Sequence, residues 1–196
     1  MGKGRLEAFS DGVLAIILTI MVLELRVPHG ARLADLAPLL PIFVSYVLSF
    51  VNLGIYWNNH HHLLHATRQV DGAVLWANLH LLFWLSLFPF ATGWMGENNF
   101  AATTLAAYGF VALMAGIAYY LLQREIIKEQ GANSALAVTL GRDWKGKVSP
   151  LAYMAAIPLA FVSRWIAGAL YIGVALMWLV PDRRIARMLA ERGEAG

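Results

Sequence analysis

The chain is 196 residues long with a formal net charge of +3, and 59% of it is hydrophobic against only 14% charged. A globular domain runs at about 45–50% apolar and about 25% charged, so a soluble core inside a hydrated shell is excluded and lipid is the expected solvent. With no cysteine, disulfides, thiolate metal sites and cysteine nucleophiles are excluded too, and basic residues clustered between apolar runs read as membrane topology, not as a nucleic-acid partner.

In chain order, the first apolar run covers about 12–25 and, by borrowing Arg5–Asp11, makes a span of about 5–27. Asp11 precedes it and no small-residue cleavage site follows, so this segment is expected to stay in the protein rather than leave as a signal peptide. Runs at about 39–59, 73–95 and 100–123 come next. The last two of these are long enough alone to cross a hydrocarbon core of about 30 Å at 1.5 Å per residue. The stretch 123–147 mixes charges with Gly131, Asn133, Ser134 and Gly141 and reads as the one sizeable loop. The runs 148–163 and 165–181 are separated by Arg164, read as a tight turn; their marginal lengths leave a re-entrant pair or one long kinked helix as alternatives. A short basic segment follows Pro181. The expected fold is therefore all-α: one domain, 1–196, of six transmembrane helices.

The basic residues orient this layout. With six spans, one side carries Lys3, Arg5, Arg68, Arg124, Lys128, Arg142, Lys145, Lys147, Arg183, Arg184, Arg187 and Arg192, and the other only Arg26, Arg32 and Arg164. Twelve against three places both termini in the cytoplasm of a multi-pass inner-membrane protein.

A charge at mid-membrane costs about 2.5–3.5 kcal/mol on insertion scales, so polar groups inside a span point to function. The first helix concentrates them: Arg5, Glu7, Ser10, Asp11, Thr19 and Glu24. At 100° per residue Ile16, Thr19, Ile20 and Leu23 share one stripe, continued by Phe9 and Gly12, while Asp11 lies off it; Arg5 and Asp11 are expected to pair with other helices.

The run Arg5-Leu6-Glu7-Ala8-Phe9-Ser10-Asp11, followed by Ala15-Ile16 and Thr19, resembles the opening of the first helix in the transmembrane protein 175 family of potassium channels, in its bacterial six-span form. The hallmark is an Arg, three residues, then Phe-Ser-Asp: here Arg5, Phe9, Ser10 and Asp11. The resemblance implies a homotetramer in the lipid bilayer, with the first helix of each subunit lining a central potassium pore, and no enzyme activity, cofactor or metal. The family lacks the Thr-Val-Gly-Tyr-Gly filter, which is absent here as well. By position relative to Phe9-Ser10-Asp11, Ile16 would form the gate, Ile20 and Leu23 further constrictions, and Thr19 a polar lining. A ring of aliphatic side chains dewets when narrow, and a small change of helix tilt wets it. Arg5, Ser10 and Asp11 are expected to form a buried polar knot with Trp57 and Asn58 at the end of the second span and with Asn78 and His80 in the third.

His60, His61, His62 and His65 cluster after the second span, with Asp71 the only nearby carboxylate. An i,i+4 pair such as His61 and His65 can bind zinc, but a di-iron histidine box needs about eight ligands, and structural packing or pH sensing is the better reading. Gly109, Ala112, Ala115 and Gly116 in the fourth span favour close helix contact. Two alternatives to a potassium channel stay open: a proton-leak pore on the same scaffold, or a secondary transporter, for which Pro89 and Pro158 could break helices although no internal repeat is seen.

Overall fold

A computed structural model describes residues 2–67, 69–131 and 144–179. Arg68, Asn133, Ser134, Gly141, Arg142 and the basic segment after Pro181, with Arg183, Arg184, Arg187 and Arg192, lie outside the described residues. Within them all regular structure is helical, the arrangement that satisfies every backbone polar group within one segment.

Helix α1 (Lys3–Leu23) contains no proline and no break. A 3-10 turn, Leu33–Leu39, leads into α2 (Leu40–His65), which carries Pro41 in its first turn, where a missing N–H costs nothing. Helix α3 (Gly72–Ser86) opens on Asp71, whose carboxylate accepts the Val74 N–H at 2.8 Å. Then come α4 (Phe88–Glu97), α5 (Ala102–Gln130), α6 (Trp144–Leu159) and α7 (Arg164–Leu179).

Three boundaries differ from the sequence expectation, each for a local reason. The run 73–95 is two successive helices interrupted at Leu87, because Pro89 has no N–H to offer the carbonyl of Leu85. Helix α5 continues to Gln130, through part of the expected loop. Residues 124–129 are good helix formers, Lys128 meets Glu125 at 3.5 Å, and Ile126 is buried. It stops at Gly131, whose φ of +90° suits glycine. The last turn covers 160–163, and Arg164 begins α7, donating to the Asn99 carbonyl and stacking on Trp165. Helices α6 and α7 pack on each other, so they are not one kinked helix.

Among the described residues four helical runs are long and apolar enough to cross a bilayer: Lys3–Leu23, Leu33–His65, Gly72–Glu97 and Ala102–Gln130. Helix α7, with 16 residues, is shorter, about 24 Å. The core centres on α5, which packs on α3, α4, α6 and α7 through Leu105, Tyr108, Ala112, Ala115, Ala118 and Leu122. Two glycines set helix separations. At Gly96 a Cβ would lie 2.7 Å from the Ile42 Cα, so α4 can sit this close to α2 only without a side chain. Gly109 makes room for the Tyr171 hydroxyl, which donates to the Leu105 carbonyl at 2.9 Å.

Candidate functional site

Helix α1 has two different faces. Leu6, Ser10, Leu14, Ile17 and Met21 are buried at steps of four, four, three and four residues, one continuous stripe against α2, α3 and α4. The opposite stripe is bare: Phe9 is 50% exposed, Ile16 60%, Ile20 43% and Leu23 77%, with Gly12 and Thr19 also exposed. The Thr19 hydroxyl donates to the Ala15 carbonyl at 2.7 Å, so its oxygen presents only acceptor capacity outward. Between α1 and α4 runs a groove of about 650 Å³ lined by Ile16, Ile20, Glu24, Pro89, Phe90 and Trp94.

The N-terminal half of α1 is fastened to the C-terminal half of α2. The two helices run antiparallel, and residues four apart on each meet in three rungs. Lys3 Nζ donates to the His65 carbonyl at 2.6 Å, Glu7 Oε1 faces His61 Nδ1 at 3.3 Å, and Trp57 Nε1 donates to Asp11 Oδ1 at 3.0 Å. Trp57, His61 and His65 stack along α2 with centroids 6.1 and 6.2 Å apart.

Behind these rungs lies a buried chain of hydrogen bonds whose direction is fixed. Ser10 Oγ spends its one proton on the Leu6 carbonyl at 2.9 Å, so it can only accept from Asn78 Nδ2 at 3.0 Å. That turns the amide oxygen of Asn78 toward His60 Nε2 at 2.7 Å, and the imidazole proton therefore sits on Nε2. Ser10, Asn78 and His60 are each at most 1% exposed. Three helices, α1, α2 and α3, are joined at this point.

The remaining residues singled out by sequence lie elsewhere. The side chains of Arg5 and Asn58 are exposed and make no hydrogen bond or ion pair among the described residues. His80 accepts the Trp84 indole N–H at 2.9 Å, one turn along its own helix, and takes no part in the chain. Two features escaped the sequence reading. Glu7 reaches His61 from 54 positions away, a pairing no local spacing announces. Ser45, Ser49 and Asn52 form a buried stripe on α2. The Thr92 hydroxyl donates to Ser49 at 2.6 Å, the Ser49 hydroxyl donates to Tyr108 Oη at 3.3 Å, and the Asn52 amide donates to Tyr108 Oη at 2.9 Å. The signal was there in the four-and-three spacing of small polar residues along an apolar run. No group of three or more His, Asp or Glu is arranged to hold a metal ion among the described residues.

Comparison with known proteins supplies a family. Residues 5–89 match the family model described as endosomal/lysosomal potassium channel TMEM175. A potassium channel of Chryseobacterium sp. is 52% identical over 191 residues, covering 97% of this chain and all of its own. The crystal structure of a lysosomal potassium-selective channel TMEM175 homologue from Chamaesiphon minutus superposes with a TM-score of 0.79 at 26% identity, covering 91% of this chain and 96% of that one. The endosomal/lysosomal proton channel TMEM175 of Gallus gallus is 38% identical over 81 residues, which are 35% of this chain and 16% of that protein.

Proposed function

The chain belongs to the TMEM175 family, and from that membership we propose that it is a potassium-permeable channel: a homotetramer of six-span subunits with both termini cytoplasmic, whose central pore is lined by α1. The observation that carries the reading is the bare stripe. A helix buried on one side by its own subunit presents Ile16, Thr19, Ile20 and Leu23 on the other, and four copies facing an axis would cover them. Because α1 is unbroken, the carbonyls before its last turn are engaged within the helix, and at Ile16 only side chains can meet an ion. Ile16 is then the gate, Ile20 and Leu23 secondary constrictions, and Thr19 the polar group in contact with the ion. Ser10, Asp11, Trp57 and Asn78 hold the pore helix to its neighbours rather than touch the ion. Selectivity from such a ring is modest, since no carbonyl cage replaces the hydration shell.

Single-channel recording of the purified protein in planar bilayers, potassium on one side and sodium on the other, tests this. The expected result is discrete openings with a potassium-shifted reversal potential, and a higher conductance for Ile16→Asn, which wets the constriction. Unchanged flux in Ile16→Asn, with loss of flux on a substitution away from α1, refutes the pore assignment. The likeness to proteins named as proton channels supports a second reading, a proton-leak pore on the same scaffold. A reversal potential that follows the pH gradient instead of the potassium gradient would favour it.

A further inference from the structure

At the C-terminal end of α1 the charges are unevenly committed. The acidic side chains there are Glu24, Asp35 and Glu97, and the basic ones Arg26, Arg32 and Arg164. Arg26 is bonded to Glu97, Arg32 pairs with Asp35 at 3.3 Å, and Arg164 bonds the Asn99 carbonyl and stacks on Trp165. The Glu24 carboxylate is left without a hydrogen bond or ion pair among the described residues, and the residue is exposed. It also stands closest to the bare stripe. It follows Leu23 directly, and it lines the groove that Ile16 and Ile20 line, with its Oε2 3.9 Å from where a Cβ on Gly93 of α4 would stand. Positive and negative charges balance in number at this end but not in place, because the one uncompensated carboxylate is the one beside the stripe.

We propose that Glu24 concentrates cations at the pore mouth opposite the termini and so sets the rate at which potassium enters from that side. The inference rests on the four-fold, α1-lined reading above. Symmetry would set four such carboxylates around one axis. A mouth lined by charge of one sign raises the local concentration of the opposite ion and its rate of entry. The effect weakens as salt shortens the screening length from about 10 Å at 0.1 M to about 3 Å at 1 M.

The test is single-channel recording of the wild type, Glu24→Gln, Glu24→Cys and Ile16→Asn, first in about 50 mM and then in about 1 M potassium chloride, a range that spans strong to weak surface fields. Glu24→Gln is expected to lower the current entering from the Glu24 side about twofold in low salt, a modest case of electrostatic focusing, and to match the wild type in high salt. The natural chain has no cysteine, so Glu24→Cys carries the only thiol. A sulfonated methanethiosulfonate reagent added on that side should restore the low-salt current, and its trimethylammonium counterpart should reduce it further. A purely structural role for Glu24 would not distinguish the sign of the reagent. If Glu24→Gln matches the wild type at both salts while Ile16→Asn raises conductance, the inference falls and the pore reading stands. If Ile16→Asn has no effect either, both fall. A Glu24→Gln deficit of equal size at both salts, or reagents of both signs acting alike, also overturns it.

Discussion

The buried chain Ser10–Asn78–His60 gives a sharp stability prediction for Asn78→Leu, which keeps the branched shape and the number of side-chain heavy atoms. It strands the Nε2–H of His60, 1% exposed, with no acceptor, and an orphaned buried donor costs about 1–3 kcal/mol. It also removes the amide that Ser10 accepts from, but Ser10 keeps its own bond to the Leu6 carbonyl at 2.9 Å. That second loss is nearer the average of about 0.6 kcal/mol for hydrogen bonds between membrane helices. Leucine regains about half a kcal/mol of helix propensity over asparagine, so the net expectation is a loss of about 2 kcal/mol. Unfolding in mixed detergent–dodecyl sulfate micelles, followed by tryptophan fluorescence, measures it. The double substitution Asn78→Leu with His60→Leu should recover most of the loss, because replacing both partners leaves no orphaned donor. Ser10→Ala combined with Asn78→Leu should be less damaging than the sum of the two, by about 0.6 kcal/mol. An Asn78→Leu protein as stable as the wild type, or strict additivity with Ser10→Ala, would show that these bonds do not hold α1 to its neighbours.

Two further outcomes follow from helix packing and from the stripe. Gly96→Ala would place a Cβ 2.5 Å from Ser45 Oγ and 2.7 Å from the Ile42 Cα. The hydroxyl can rotate away but the backbone cannot, so α4 must shift off α2 at a cost of about 1–3 kcal/mol, read as a lower melting temperature. Gly116→Ala, whose Cβ would find no atom nearer than 3.8 Å, is the control expected to leave melting unchanged. Thr19→Val keeps the shape and removes the only oxygen on the stripe; bi-ionic reversal potentials should show the preference for potassium over sodium diminished, with openings retained.

How much of this was legible depended on whether the cause was local. The stripe of Ile16, Thr19, Ile20 and Leu23 could be drawn from spacing because a helix repeats every 3.6 residues, and the structure leaves those four side chains exposed together. That Ser10 meets Asn78 could be guessed from the scarcity of polar groups inside the spans, but His60 as the third member could not, since it was hidden in a run of four apparently equivalent histidines. Only its helical phase, one residue from His61, turns it inward. The end of α5 was misplaced because hydropathy marks where lipid stops, and the helix runs on through Arg124, Glu125 and Lys128, whose propensity is as good as that of the apolar residues before them. The break at Leu87 was legible only as far as Pro89, marked in the sequence as a possible helix breaker: the apolar run passes through it without interruption, but its missing N–H leaves a gap in the hydrogen-bond ladder.

In a pore formed by α1, what restrains the helix and what meets the ion are on separate faces. The rungs to Trp57, His61 and His65 and the chain through Ser10 and Asn78 occupy the first eleven residues, while Ile16, Ile20 and Leu23 lie beyond them, held by the apolar contacts of Ile17 and Met21. A helix pinned by directed bonds at one end and by non-directional packing at the other tilts most easily about the pinned end. The displacement grows along the helix, so the side chains farthest from the pin move farthest. Ile16 is about 7.5 Å along the axis from Asp11 and Leu23 about 18 Å, at 1.5 Å per residue. A given tilt therefore widens the ring at Leu23 more than twice as much as the ring at Ile16, which leaves Ile16 as the last constriction to wet.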